Sequence, residues 1–252
     1  MQDLTGKVAW VTGAGTGIGE AGAIALAEEG MQVILSGRRL DKLEEVQSRI
    51  GDRASIEVLD VADKNSVAAV CERILASHGR IDVLVASAGL NAKDRNWHNV
   101  SLEDWDQVIR VDLDGAFYCC KAVLPTMKAQ GDGLIINISS WAGKYVGIIT
   151  GPAYTAAKHA MNAMTESLNM EACTYGVRAT ALCPGEVATP ILDNRPIPVS
   201  AEDRAQMVQP EDCGELIRFL AKMPKHVCIN DVTISPTWNR GYVAAGRAQL
   251  PK

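Results

Sequence analysis

The sequence predicts an α/β fold: one doubly wound domain whose parallel sheet carries helices on both faces. Three observations predict it. Short β-branched runs alternate with helical patterns from end to end, those runs show little apolar/polar alternation, and a glycine-rich turn follows the first run directly. A chain of 252 residues is near the upper size that one hydrophobic core serves. With 47% hydrophobic and 22% charged residues and a mean hydropathy near zero, it reads as a soluble globular protein.

Taken in order, the strand candidates are 7–11, 31–35, 54–59, 81–86, 134–138, 177–182 and 232–234. Between them, apolar residues recur at three- and four-residue spacing over 18–30, 40–50, 65–78, 103–129, 154–175 and 212–221, which predicts helices. Ser101, ahead of Leu-Glu-Asp, has the character of an N-cap for the fourth. Strand followed by helix, repeated, implies right-handed crossovers and parallel strands. Between 191 and 211 prolines and charges interrupt the pattern, so a mobile loop or substrate lid is expected there, with 236–252 as a C-terminal tail.

Charge and composition exclude several function classes. A net charge of -5 leaves no basic footprint for nucleic acid or anionic lipid. Lys7 and the glycines break the only early apolar segment, and no run approaches the ~20 residues of a membrane helix, so neither a signal peptide nor a membrane partner is expected. A cytoplasmic location follows. The seven cysteines are scattered without a C-x-x-C pair and read as small core residues in a reducing compartment. The four histidines lack ligand spacing, so no metal site is expected. His159 is expected to point away from the Tyr154 face and to serve packing or the surface.

The turn VTGAGTGIGE, residues 11–20, departs from G-x-G-x-x-G but fits T-G-x-x-x-G-x-G through Thr12, Gly13, Gly17 and Gly19. Glycines between a first strand and first helix let the backbone turn sharply and approach a pyrophosphate, while the helix N-terminus offers free N–H groups to the anion. A glycine-rich turn without a ligand is common in isolation. The strand before it and the βα frame behind it argue for a dinucleotide cradle.

Further along stand Asp60-Val61, Ser87-Ala88-Gly89, Ser139-Ser140, Tyr154-Thr-Ala-Ala-Lys158 and Pro184-Gly185 with Thr189. With the glycine turn they resemble the short-chain dehydrogenase/reductase family, in order and near the expected spacing over roughly the first 190 residues. The resemblance implies a Rossmann-like, seven-stranded sheet and a nicotinamide dinucleotide cofactor. It implies adenine contacts from Asp60 and Val61, nicotinamide contacts from Pro184, Gly185, Val187 and Thr189, and further cofactor contacts from Gly13, Thr16, Gly17, Ile18, Gly19, Ala88, Gly89, Tyr154 and Lys158. It also implies a homotetramer or homodimer formed through the helices at 103–129 and 154–175.

The Tyr-Lys pair also stands on spacing. Residues four apart share a helix face, so the Lys158 ammonium sits one turn from the Tyr154 ring. A phenol titrates near ~10, and a nearby positive charge stabilises the phenolate, which makes Tyr154 a candidate general acid/base for an alcohol–carbonyl couple. Ser140, just past the fifth strand, can donate to a developing oxyanion. Such pairs are ordinary on helix surfaces; the serines and the cradle upstream favour catalysis.

Three departures from the family stand out. Asp112, in VDLDGAF, occupies the position of an asparagine that bends the helix and anchors a relay water; as a catalytic candidate it adds a negative charge that pairs with Lys158 and weakens its effect on Tyr154. Ala86-Ser87-Ala88-Gly89 replaces Asn-Asn-Ala-Gly and changes one contact in the middle of the sheet. Ser140 is one residue farther from the tyrosine than usual, which suggests a small insertion within 142–153.

Cofactor choice rests on LSGRR. Gly37 stands where a carboxylate for the adenosine 2′-hydroxyl would be, followed by Arg38 and Arg39, whose guanidinium groups suit a 2′-phosphate. NADP(H) is favoured over NAD(H), although Thr16 adds no basic residue to the glycine loop. A small-molecule alcohol, ketone or aldehyde would meet Trp141, Tyr145, the 91–98 loop, the 186–204 segment and Trp238, with Arg195, Arg204 and Arg240 as candidate carboxylate holders. Two other classes stay open: a cofactor-sensing binding protein on this fold, and an epimerase or dehydratase using the same cradle.

Overall fold

The computed structural model describes residues 1–195 and 197–249, the last three through their backbone. Pro196 of the expected lid and residues 250–252 of the expected tail lie outside the described residues. Seven parallel strands form one sheet in the order β3-β2-β1-β4-β5-β6-β7. They are β1 (Val8–Thr12), β2 (Gln32–Gly37), β3 (Ala54–Val58), β4 (Val83–Ala86), β5 (Gly133–Ile138), β6 (Val177–Pro184) and β7 (Asp231–Ile234). The central strands are buried along their whole length, which is why their sequences run apolar without alternation.

Helices α1 (Gly17–Glu28), α2 (Leu40–Ile50) and α8 (Pro210–Lys222) cover one face, where Leu26, Leu43 and Ile217 join Val11, Leu35 and Ile136 of the sheet. Helices α3 (Lys64–His78), α5 (Gly115–Gln130) and α6 (Pro152–Ala172) cover the other, with Ile74, Val123 and Ala172 packed on Trp10, Leu84 and Ile135. Each large apolar side chain buried in this way contributes roughly 1.5–3 kcal/mol against the entropy of ordering the chain. Trp10 keeps its indole N–H satisfied inside the core by donating to Ser36 Oγ at 2.9 Å.

The fourth expected helix is interrupted. Ser101 caps α4 (Leu102–Ile109) by accepting from the Asp104 N–H at 2.9 Å, and residues 110–114 then form a π-helical segment before α5 begins. The wider turn aims Asp112 into the interior. The 191–211 segment is more ordered in form than a plain loop: a 3-10 turn spans Pro190–Asn194, and Ser200 caps a short α7 (Ala201–Ala205). Its base is pinned where Val187 bridges Val208. The expected tail contains α9 (Arg240–Gln249), which its two glycines, Gly241 and Gly246, conceal in the sequence. Cys173 and Cys228 are exposed, contrary to the expectation of a core role, whereas Cys71, Cys119, Cys120, Cys183 and Cys213 are buried. No helix among the described residues is long and apolar enough to cross a membrane.

Candidate active site

In a doubly wound sheet the strand order reverses once, and the loops leaving the strands on either side of that point diverge to open a crevice. Here the reversal lies between β1 and β4, and a cavity of about 830 Å³ opens at their carboxyl ends. The turn after β1 forms one wall. Gly13 and Gly17 have φ of 64° and 61°, the left-handed region, and a Cβ on Gly17 would lie 2.9 Å from Thr189 Cγ2 across the cavity. A Cβ on Gly19 would lie 2.3 Å from the Gly13 carbonyl oxygen, so this glycine serves the packing of α1 against the turn. It does not border the cavity directly. Thr16 is extended at the N-cap of α1 and its hydroxyl does not cap the helix, which leaves the first-turn N–H groups facing the cradle.

Gly13, Thr16, Gly17, Ile18, Arg38, Arg39, Asp60, Val61, Ala88, Gly89, Pro184, Gly185, Val187 and Thr189 all line this cavity. Arg39 reaches back to the glycine turn and donates to Thr16 Oγ1 at 3.3 Å. The Asp60 carboxylate is exposed and accepts the Ala62 N–H at 3.0 Å. The Thr12 hydroxyl lies within hydrogen-bond distance of the Ser87 and Ala88 N–H groups, tying the ends of β1 and β4 together. The middle of the sheet is supported at β5, where buried Asn137 donates to Thr165 Oγ1 at 2.9 Å.

Tyr154, Lys158, Asp112 and Ser140 border the same cavity. The Tyr154–Lys158 spacing on α6 brings the Lys158 ammonium to 5.4 Å from the centre of the Tyr154 ring. That ammonium donates to the Ile138 carbonyl at 3.0 Å and lies 3.3 Å from Asp112 Oδ2. Asp112 Oδ1 accepts the Leu90 N–H at 2.8 Å, while Oδ2 is enclosed and pairs with the lysine by charge without hydrogen-bond alignment. Burial pushes the Asp112 carboxyl up, against the pull of Lys158 and the Leu90 amide. At Lys158 burial acts downward, but the Asp112 charge, with Tyr154 beside it, outweighs burial and holds the ammonium above its ordinary value. Ser140 caps the 3-10 turn Trp141–Gly143 through the Ala142 N–H at 3.1 Å, which orients its hydroxyl at the end of β5. Within 142–153, where the extra residue is expected, residues 144–151 form an irregular loop with Val146 and Ile148 exposed. His159 turns back to the Thr155 carbonyl at 2.9 Å and does not line the cavity.

The outer part of the cavity carries Trp141, Tyr145, Ile197 and Arg240. Trp141 stacks on Tyr145 at 4.4 Å between ring centres and meets Tyr242 of α9 edge-on at 5.8 Å. The arginines expected to hold a carboxylate already have partners within the chain. Arg195 and Arg240 both bind Glu186, Arg240 also meets Asp203, and Arg204 binds Asp193 outside the cavity. Arg95, which the sequence signals only as part of a polar loop, is buried beside the cavity with no carboxylate partner among the described residues.

Comparison with known proteins agrees with this geometry. A family model for short chain dehydrogenases matches residues 7–197. An uncharacterized oxidoreductase of Staphylococcus aureus is 36% identical over 239 residues, covering 94% of this chain and all of that protein. Among solved structures, the closed form of a serine dehydrogenase complexed with NADP+ superimposes with a TM-score of 0.86 at 32% identity, covering 92% of this chain and 96% of that one. An alcohol dehydrogenase of the archaeon Thermococcus sibiricus, complexed with 5-hydroxy-NADP, does so with a TM-score of 0.84 at 30% identity, covering 93% and 98%. By sequence motif, fold and kinship, the chain belongs to the short chain dehydrogenase family and is an oxidoreductase.

Proposed function

We propose that this enzyme interconverts an alcohol and a carbonyl compound with NADP(H) as the preferred cofactor, and that Tyr154 is its general acid/base. The observation that carries the reading is one cavity bordered by the glycine turn and by Tyr154, Lys158 and Ser140 together. The cradle suits a dinucleotide: Gly13, Thr16, Gly17 and Ile18 would face the pyrophosphate, and Arg38 and Arg39 a 2′-phosphate. Asp60 and Val61 would meet the adenine, Ala88 and Gly89 the adjoining ribose, and Pro184, Gly185, Val187 and Thr189 the nicotinamide. Gly37 borders the cavity without a side chain that could accept from a 2′-hydroxyl, which supports NADP(H) over NAD(H). The bound cofactor supplies or takes up the hydride.

The chain's own groups handle the proton. In reduction, Tyr154 gives its hydroxyl proton to the oxygen that gains negative charge, and Ser140 donates a hydrogen bond to that oxygen. Lys158 stabilises the phenolate left behind; the Ile138 carbonyl and Asp112 hold its ammonium in place. In oxidation the same groups act in reverse.

The test is purified protein with NADPH and a panel of ketones and aldehydes, with Tyr154→Phe as control. NADPH consumption in the natural enzyme and its loss in the variant is the expected result. No consumption with any compound, or equal rates in the two proteins, overturns the reading. For assembly we propose a homodimer or homotetramer through the outer faces of α4, α5 and α6, supported by exposed Leu102, Phe117 and Met170. Light scattering in solution checks it, and a monomer at working concentration contradicts it. The free, mostly buried cysteines support a reducing, cytoplasmic setting.

A further inference from the structure

We propose that Arg95 is an anion-recognition residue in the substrate half of the cavity, and that the physiological substrate carries a carboxylate within a carbon or two of its reacting alcohol or carbonyl carbon. The substrate class rests on the oxidoreductase reading above; the anion site rests on Arg95 alone.

Arg95 lies in the loop between β4 and α4 and is only 7% exposed. Its Nη2 donates to the Asn194 carbonyl at 2.5 Å, and its Nε is enclosed without a partner. An arginine cannot shed its proton at physiological pH, so a buried guanidinium needs a compensating anion. Among the described residues no carboxylate pairs with Arg95. Glu186 and Asp203 satisfy Arg195 and Arg240, and Asp193 satisfies Arg204. Among the described residues Arg95 is therefore a buried positive charge on the substrate side without a carboxylate partner, and burial together with Arg195 pushes its guanidinium down while Tyr154 pulls it up. One unbalanced charge calls for a monoanion, and a planar fork of donors fits a carboxylate.

The same loop is registered against the catalytic helix. Gly151 has φ 73°, and a Cβ there would lie 2.1 Å from the Arg95 carbonyl oxygen, so the backbones of the two segments touch just ahead of Pro152, where α6 starts. Asn91 donates to the Thr150 carbonyl at 3.0 Å and adds a second tie. Arg95 and Tyr154 are thus held in a set relation, as an anchor and a reacting group must be.

The test compares 3-oxobutanoate with its methyl ester in the natural enzyme, Arg95→Gln and Arg95→Lys. Gln can still donate to the Asn194 carbonyl, and Lys keeps the charge without the fork. The expected result is that the acid-to-ester ratio of kcat/KM falls by about 10- to 100-fold in Arg95→Gln and by less in Arg95→Lys. An unchanged ratio overturns the proposal. Calorimetric titration with 3-oxobutanoate separates the site from the chemistry: a dissociation constant raised about 10- to 100-fold in Arg95→Gln supports the anion site even where neither compound is reduced. Equal affinity in the two proteins, or none in either, overturns it. Binding without any NADPH oxidation across the wider panel counts against the redox reading and leaves the anion site standing.

Discussion

The Lys158 ammonium stands 3.3 Å from the Asp112 carboxylate, and both side chains are sealed from solvent. The pair couples α6 to the π-helical segment before α5. Asp112→Asn keeps an acceptor for the Leu90 N–H and removes the charge that chiefly holds Lys158 up. The alkaline limb of the pH–rate profile is expected to move to lower pH, because the ammonium then loses its proton more readily. A limb that stays in place or moves up contradicts this. The sign for stability follows from the same shift. A lysine raised above its ordinary 10.5 contributes fully below that pH and loses its contribution as pH rises through the folded value. Asp112→Ala, which strands the buried ammonium, is expected to cost about 3–5 kcal/mol in denaturant unfolding.

Tyr154→Phe removes one hydroxyl and leaves the ring against Lys158. Turnover is expected to fall by about 10²- to 10⁴-fold, the usual contribution of a positioned acid/base. Cofactor affinity, read by fluorescence titration, should change by less than about 3-fold, since neutral surface-like substitutions are worth only a few tenths of a kcal/mol. A matching loss of cofactor binding would show that the hydroxyl holds the dinucleotide, so that the lost turnover could not be assigned to proton transfer.

Arg38 and Arg39 line the cavity past the end of β2. Arg38→Ala is expected to raise KM for NADPH by about 10-fold or more while changing that for NADH little, because the lost interaction is with a phosphate that NADH lacks. Steady-state kinetics with both cofactors measures it. Equal changes would assign the arginine to the surface.

Gly151→Ala puts a methyl group against the Arg95 carbonyl oxygen and forces φ 73° on a residue with a side chain. The two effects together should cost about 2–4 kcal/mol of stability. Gly51→Ala shares a positive φ of 80° but meets nothing within 4 Å, so it should cost less. Denaturant midpoints compare the two, and equal losses would mean that the contact with Arg95 carries no weight.

Glu186 gathers Arg195 from the 191–211 segment and Arg240 from α9. Burial acts to raise its carboxyl, but the hydrogen bonds from Arg240 and Arg195 outweigh burial and hold it below the ordinary 4.5. Its contribution to stability is therefore complete above that value and is lost as pH falls through the lower folded value. Acidification through that window should release the tail, and Glu186→Gln should release it at neutral pH. Limited proteolysis within 236–249 reads both; an equally resistant variant contradicts the clamp.

Sequence by itself determined whatever depends on near neighbours. The alternation of strands and helices, the glycine turn after β1, the Ser101 cap and the four-residue step from Tyr154 to Lys158 are local matters of backbone freedom and periodicity, and they appear in the fold where the spacing puts them. Tertiary structure decided burial and the choice of partners. Nothing near Asp112 in sequence foretells the π-helical turn that seals it against Lys158, and the polar loop around Arg95 looks solvated until Asn194 and Gly151 close over it. Arg195 and Arg240 read as open carboxylate holders, yet Glu186 takes both, and Cys173 and Cys228 read as core but are exposed. The physical reason is common to all of them: desolvation and ion pairing are set by side chains brought together from distant positions, and only the folded chain creates those neighbours.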